Sequence, residues 1–121
     1  MPHKILLIDD EPNIVFMISN RLKQTGYEVV TGSDGQEALD LARKEKPDLI
    51  ILDLMLPKMN GFTACGLIKR DSNLSHIPII MLTARAQESD RKQGEEAGAD
   101  LYIKKPFKSE ELLEAIESLL S

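Results

Sequence analysis

The stretch Asp48–Gly61, DLIILDLMLPKMNG, decides the fold. Leu49, Ile50, Ile51 and Leu52 follow one another with no polar residue between them. A strand with one wet face alternates apolar and polar side chains. An unbroken apolar run is the pattern of a strand covered on both faces, as in a parallel sheet sandwiched between helices. The run stops at an acid, Asp53, and passes into Leu56–Gly61, where Pro57 and Gly61 shape a loop. A buried strand thus delivers a carboxylate to its carboxyl end and turns away at once.

Working outward, short apolar runs alternate with helix-like segments along the whole chain. Upstream, Lys4–Ile8 reads as a first strand. A helix follows, opened by Pro12, with Ile14, Ile18 and Leu22 on one face at four-residue spacing, and closed by Gly26. Tyr27–Thr31 is a β-branched second strand, Ser33-Asp34-Gly35 a turn, and Gln36–Lys46 a helix that Pro47 ends. Downstream, a helix runs from the loop through Ile68, with Phe62, Cys65 and Ile68 at three-residue spacing. Ile77–Leu82 is the fourth strand and Leu101–Lys104 the fifth. Ser109 is expected to cap a final helix striped by Leu112, Leu113, Ile116, Leu119 and Leu120. Between the last two strands, Gln87–Gly98 (QESDRKQGEEAG) has the all-round polarity of a poorly anchored helix. Five strand–helix alternations predict one α/β domain over residues 1–121, with a parallel sheet and right-handed crossovers.

In such sheets ligands sit beyond the carboxyl ends of the strands. The first strand ends in Asp9-Asp10, with Glu11 next. The third ends in Asp53, the fourth in Thr83, and the fifth in Lys105 followed by Pro106. The second ends in nothing reactive. If the second strand is an edge, the other four are contiguous at about 4.8 Å spacing, and Asp53 lies centrally among the reactive ends. Three carboxylates in one place repel and raise one another's pKa values. A hard divalent cation offsets that repulsion, because Mg²⁺ takes carboxylate, water and phosphate oxygens.

The composition narrows the function. The 121 residues hold 15 Lys and Arg against 20 Asp and Glu, a formal charge of −5, with no basic run of the kind nucleic-acid binding needs. His3 and His76 are isolated from any zinc-spaced ligand. Met1-Pro2-His3-Lys4 leads directly into a strand-like run, so no signal peptide is expected, and no apolar run comes near the length of a membrane span. Cys65 is the only cysteine, which points to a reducing cytoplasm and to a small buried packing residue. Met17, Met55, Met59 and Met81 read as packing.

The elements IDDE, LDLMLPKMNG, MLTA and YIKKPF, in that order and each at a strand's carboxyl end, resemble the receiver domain of two-component response regulators, in the manner of a single chemotaxis-regulator-like receiver. The likeness runs from Lys4 to Leu120. It implies a flavodoxin-like, doubly wound (βα)5 fold with a five-stranded parallel sheet in the order 2-1-3-4-5. It implies that Asp53 is the phosphoacceptor, and that Asp9, Asp10, Asp53 and the Met55 backbone carbonyl hold Mg²⁺ or Mn²⁺. Thr83 would bond a phosphoryl oxygen and Lys105 would be the partner lysine, joined to Pro106 by a cis bond. Tyr102 would be the aromatic switch residue, moving with Thr83. Met55 and Arg85 fall where the family tunes phosphoryl lifetime, and an apolar Met55 cannot orient a water.

The resemblance further implies a histidine kinase or phosphotransfer protein as donor, with Asp53 attacking phosphorus as a covalent nucleophile. The chain would not be a conventional enzyme, though Mg²⁺-dependent self-phosphorylation and autodephosphorylation are expected. The output surface would be the face made by Gln87–Gly98, the fifth strand and the final helix, shifting between two populations to reach a downstream protein. The expected state is a monomer or a weak phosphorylation-dependent dimer, with no membrane partner. Leu101, and Ala115 with Glu114 and Glu117, stand where receivers attached to DNA-binding domains carry an acid and an arginine, which favours a stand-alone role. The alternatives are the receiver part of a larger regulator with a DNA-binding or other output domain, and a haloacid-dehalogenase-like phosphatase. The latter needs an Asp-x-Asp at the end of the first strand, where this chain has adjacent Asp9-Asp10.

Overall fold

The structure is a computed structural model that describes residues 2–83 and 98–121. Arg85 and the Gln87–Gly98 segment, Gly98 excepted, lie outside the described residues. The elements run β1 (Lys4–Ile8), α1 (Pro12–Thr25), β2 (Glu28–Gly32), α2 (Gly35–Glu45), β3 (Leu49–Asp53), α3 (Gly61–Arg70), β4 (Ile79–Thr83), β5 (Leu101–Lys104) and α4 (Ser109–Leu120). The five strands form one parallel sheet in the order β2-β1-β3-β4-β5, as expected.

All five residues of β3 are buried, and so are all five of β4. Successive side chains point to opposite faces. Ile50 and Leu52 therefore join Leu6, Ile8, Ala64 and Ile68 on the α2–α3 side, while Leu49 and Ile51 join Leu7, Ile18, Leu22 and Ile116 on the α1–α4 side. Burying each such side chain contributes roughly 1.5–3 kcal/mol, and the two layers lock the register that brings the strand ends level.

The helix ends follow local chemistry. Pro12 opens α1, and Gly26 at φ 106° closes it, its N–H reaching back to the Leu22 and Lys23 carbonyls. Asp34 caps α2 by accepting from the Glu37 N–H at 2.8 Å, while Glu37 Oε1 accepts from the Ser33 N–H and hydroxyl. Asn60 caps α3 by accepting from Thr63 N at 2.9 Å. Ser109 is not the cap of the final helix. Lys108 stands at that position without a side-chain bond, and Glu110 and Glu111 meet the positive end of the helix instead. The β4 strand starts at Ile79 rather than Ile77, because Pro78 accepts from Ile50 N at 3.0 Å but has no N–H to return.

The amino edge of the sheet is closed by ion pairs. Lys4 Nζ lies 3.2 Å from Glu45, and the Lys4 N–H donates to Asp48 at 2.7 Å. Lys69 Nζ lies 3.0 Å from Asp100 and donates to the Ile77 carbonyl at 2.6 Å, while Asp100 also accepts from Ile79 N at 2.8 Å. Among the described residues, no helix is long and apolar enough to cross a membrane.

Candidate functional site

The carboxyl edge gathers the expected residues. Asp9 follows β1, with 2% of its surface exposed; Asp53 ends β3 at 5%; Asp10 is exposed. One carboxylate oxygen from each of the three lies within 4.8 Å of the others. Asp9 is held in place by the Glu11 N–H, which donates to its Oδ1 at 3.0 Å. Lys105 crosses from beyond β5 over the ends of β4 and β3, placing its Nζ 2.8 Å from Asp9 Oδ2 and 3.7 Å from Asp53 Oδ1. The Lys105–Pro106 bond is cis, as the resemblance implied.

The electrostatics follow from that crowding. Burial pushes Asp53 up to about 6, and the Asp9 charge adds to the rise; Lys105 and a hydrogen bond from the Met55 backbone oppose it. Asp53 is therefore still ionised at neutral pH, and its carboxylate is poorly solvated. Burial alone would lower the Lys105 pKa, but the hydrogen bond to Asp9 and the charges of Asp53, Asp9 and Glu11 outweigh it and leave it raised. Among the described residues, three acids against one lysine leave the site short of positive charge. Three hard oxygen donors this close fit a magnesium or manganese ion, and no nitrogen or sulfur ligand stands among them to favour a softer metal.

Thr83, fully buried, ends β4 one position beyond the Asp53–Leu82 pairing and pairs with Lys104 of β5. Tyr102 pairs with Met81 and packs, half-buried, against the α2–α3 core. Met59 and Met81 pack as expected. Met17 and Met55 do not: they are 54% and 55% exposed. Met55 sits in the loop after β3, while Met17 lies at the margin of the stripe made by the half-buried Ile14 and the buried Ile18 and Leu22. Phe16 beside it is 70% exposed. A cleft of about 280 Å³ lined by Ile14, Met17, Lys105, Pro106 and Phe107 continues this apolar rim to the site. The sequence carried that signal for Phe16, which falls off the apolar stripe of α1, but not for Met17, three residues from Ile14.

The loop between β3 and α3 is tightly set. Gly61 N donates to the Leu54 carbonyl at 2.9 Å, and a Cβ on Gly61 would lie 2.3 Å from the Asp53 carbonyl oxygen. Lys58 adopts φ 65°, a left-handed conformation that costs a side chain of this kind about 1 kcal/mol or more.

Comparison with known proteins agrees with this geometry. Residues 5–117 match the response regulator receiver domain family. The chain is 47% identical over 117 residues to the DNA-binding dual master transcriptional regulator RpaA of Synechocystis sp., covering 97% of this chain and 48% of that protein. It spans about half the length of the curated relatives it matches. Among solved structures, chemotaxis response regulator CheY4 of Vibrio cholerae superposes with a TM-score of 0.93 at 37% identity, covering 99% of this chain and 100% of that one. The receiver domain of sensor histidine kinase PA1611 from Pseudomonas aeruginosa, solved with a magnesium ion coordinated in its active site cleft, gives 0.92 at 34% identity over 99% and 98% of the two chains. Sheet order, acidic strand ends and sequence together make this chain a member of the response regulator receiver family, a signal-transduction domain of two-component systems.

Proposed function

We propose that residues 1–121 act as one receiver module that takes a phosphoryl group onto Asp53 from a phosphohistidine on a histidine kinase or phosphotransfer protein. The observation that carries this reading is the cluster of Asp9, Asp10 and Asp53, with oxygens within 4.8 Å of one another, and Lys105 2.8 and 3.7 Å from Asp9 and Asp53. An ionised Asp53 oxygen attacks phosphorus, the P–N bond to the donor imidazole breaks, and that imidazole leaves with its electron pair and is protonated. Lys105 supplies a compact charge to the phosphoryl oxygens, and Thr83 a hydroxyl. Asp9, Asp10, Asp53 and the Met55 carbonyl would hold Mg²⁺ (or Mn²⁺), which when bound neutralises charge on the transferring group.

The exposed Phe16 and Met17, with the cleft running to Phe107, support a protein as the donor, since apolar rim of this kind suits a protein surface better than a small anion. Addition at Asp53 draws the Thr83 hydroxyl toward the phosphoryl group, and Tyr102, two residues back on the neighbouring strand, adjusts to the change. The output is the face that includes β5 and α4, where Leu101 is 39% exposed and suited to a protein target. A reducing cytoplasm fits a chain with one buried cysteine.

Intact mass after incubation with a small-molecule phosphodonor tests the reading. One added phosphoryl group, requiring both Mg²⁺ and Asp53 and absent from Asp53→Asn, is expected. A folded wild-type protein that gains no mass under any condition, or an Asp53→Asn variant that gains it equally, overturns the proposal.

A further inference from the structure

The N-terminus of α2 is far from the acceptor in sequence yet lies against the loop that follows it. A Cβ built on Gly35 would fall 1.9 Å from the Met59 carbonyl oxygen and 2.7 Å from the Met59 carbonyl carbon, so only a glycine lets the two backbones approach this closely. The Gly35 N–H faces the Pro57 carbonyl at 3.5 Å. Between these contacts, Lys58 holds its left-handed φ of 65° with its Nζ 3.7 Å from Asp34, the residue that caps α2. The far end of the loop is pinned by Gly61 against the Asp53 carbonyl. Leu54 is held by the Leu82 carbonyl and by the Gly61 N–H, so Met55 stands between that anchor and the Pro57–Met59 segment against which α2 begins.

We propose that Gly35, with the Asp34–Lys58 pair, is a positioning element for the acceptor loop, and that it tunes divalent-cation affinity by fixing where the Met55 backbone lies. The idea rests on the reading of Asp9, Asp10 and Asp53 as the cation site. Its chemistry is steric and electrostatic. Any side chain at position 35 pushes the Met59 carbonyl away, and the displacement runs back along the short loop to Met55. Losing the Lys58 charge leaves the strained residue with no partner at the α2 cap.

The test is Mg²⁺ titration of the metal-free protein followed by backbone amide resonances, with melting temperature measured alongside. Gly35→Ala is expected to weaken Mg²⁺ binding about tenfold and to shift the amides of residues 54–60 before any metal is added. Lys58→Ala, at a side chain 74% exposed and harmless to folding, is expected to weaken binding less, by about threefold. Gly66→Ala serves as the control, because its Cβ would meet nothing nearer than the Arg70 side chain at 3.8 Å. If Gly35→Ala does not fold, Lys58→Ala decides alone. Gly35→Ala and Lys58→Ala variants that melt earlier but bind Mg²⁺ within about twofold of wild type make the contact merely structural and overturn the proposal. A folded wild type that binds no Mg²⁺ overturns the cation-site reading itself, and this inference with it.

Discussion

The two edges of the sheet use the same residue types to opposite ends. At the amino edge three acids each meet a donor: Asp48 takes the Lys4 N–H, Glu45 the Lys4 ammonium, and Asp100 both Lys69 and the Ile79 N–H. At the carboxyl edge, among the described residues, three carboxylates cluster and one lysine reaches two of them. Balanced charge holds strands in place. Unbalanced charge makes a place for something else, at a cost in stability that the amino edge does not bear. The direction of the strands explains the division: every β-to-α loop opens at the carboxyl edge, where side chains from β1, β3, β4 and β5 converge without long insertions.

The sharpest way to break this comparison is to remove the lysine from each edge. Lys105→Met is expected to slow phosphoryl uptake by about a hundredfold, as loss of one aimed charge does in comparable sites, with the fold intact by circular dichroism. An unchanged rate would mean that the carboxyl-edge lysine is a strut like its counterpart below. Lys69→Met is expected to cost about 1–2 kcal/mol of stability in urea unfolding, since it removes the donor to the Ser75 and Ile77 carbonyls and the partner of a partly exposed Asp100, while the folded protein takes up phosphoryl groups at the wild-type rate. A slower rate there would blur the distinction between the edges. The smallest expected effect sharpens it: in chelator at pH 8, Asp53→Asn should melt a few degrees above wild type, because one of three crowded charges is gone. The corresponding change at the amino edge, Asp100→Asn, should lower the melting temperature, and a fall in both would show that the Asp53 carboxylate is stabilising after all.

Much of this was legible in the residues. The uninterrupted Leu49–Leu52 run specified a strand buried on both faces, and the strand-end residues Asp9, Asp10, Asp53, Thr83 and Lys105 pointed to the site because a parallel sheet brings like ends together. What was not legible depends on distances that no period encodes. That Lys105 lies closer to Asp9 than to Asp53, that Met17 and Met55 face water, and that Gly35 touches the Met59 carbonyl are all outcomes of how α1, α2 and the loops settle on the finished sheet. The cap of α4 was misread for a related reason: a serine before an apolar stripe is a good cap only if the backbone turns there, and it turns at Lys108.

The β3 strand has one more consequence. It is hydrogen-bonded to a neighbour on each side and covered above and below, so its backbone has nowhere to go. A modification at its last residue would therefore be made against an anvil. Its effect would have to pass outward, to the following loop and to the hydroxyl on the next strand, while the sheet stays still. In such a machine the least movable part is the one that is struck.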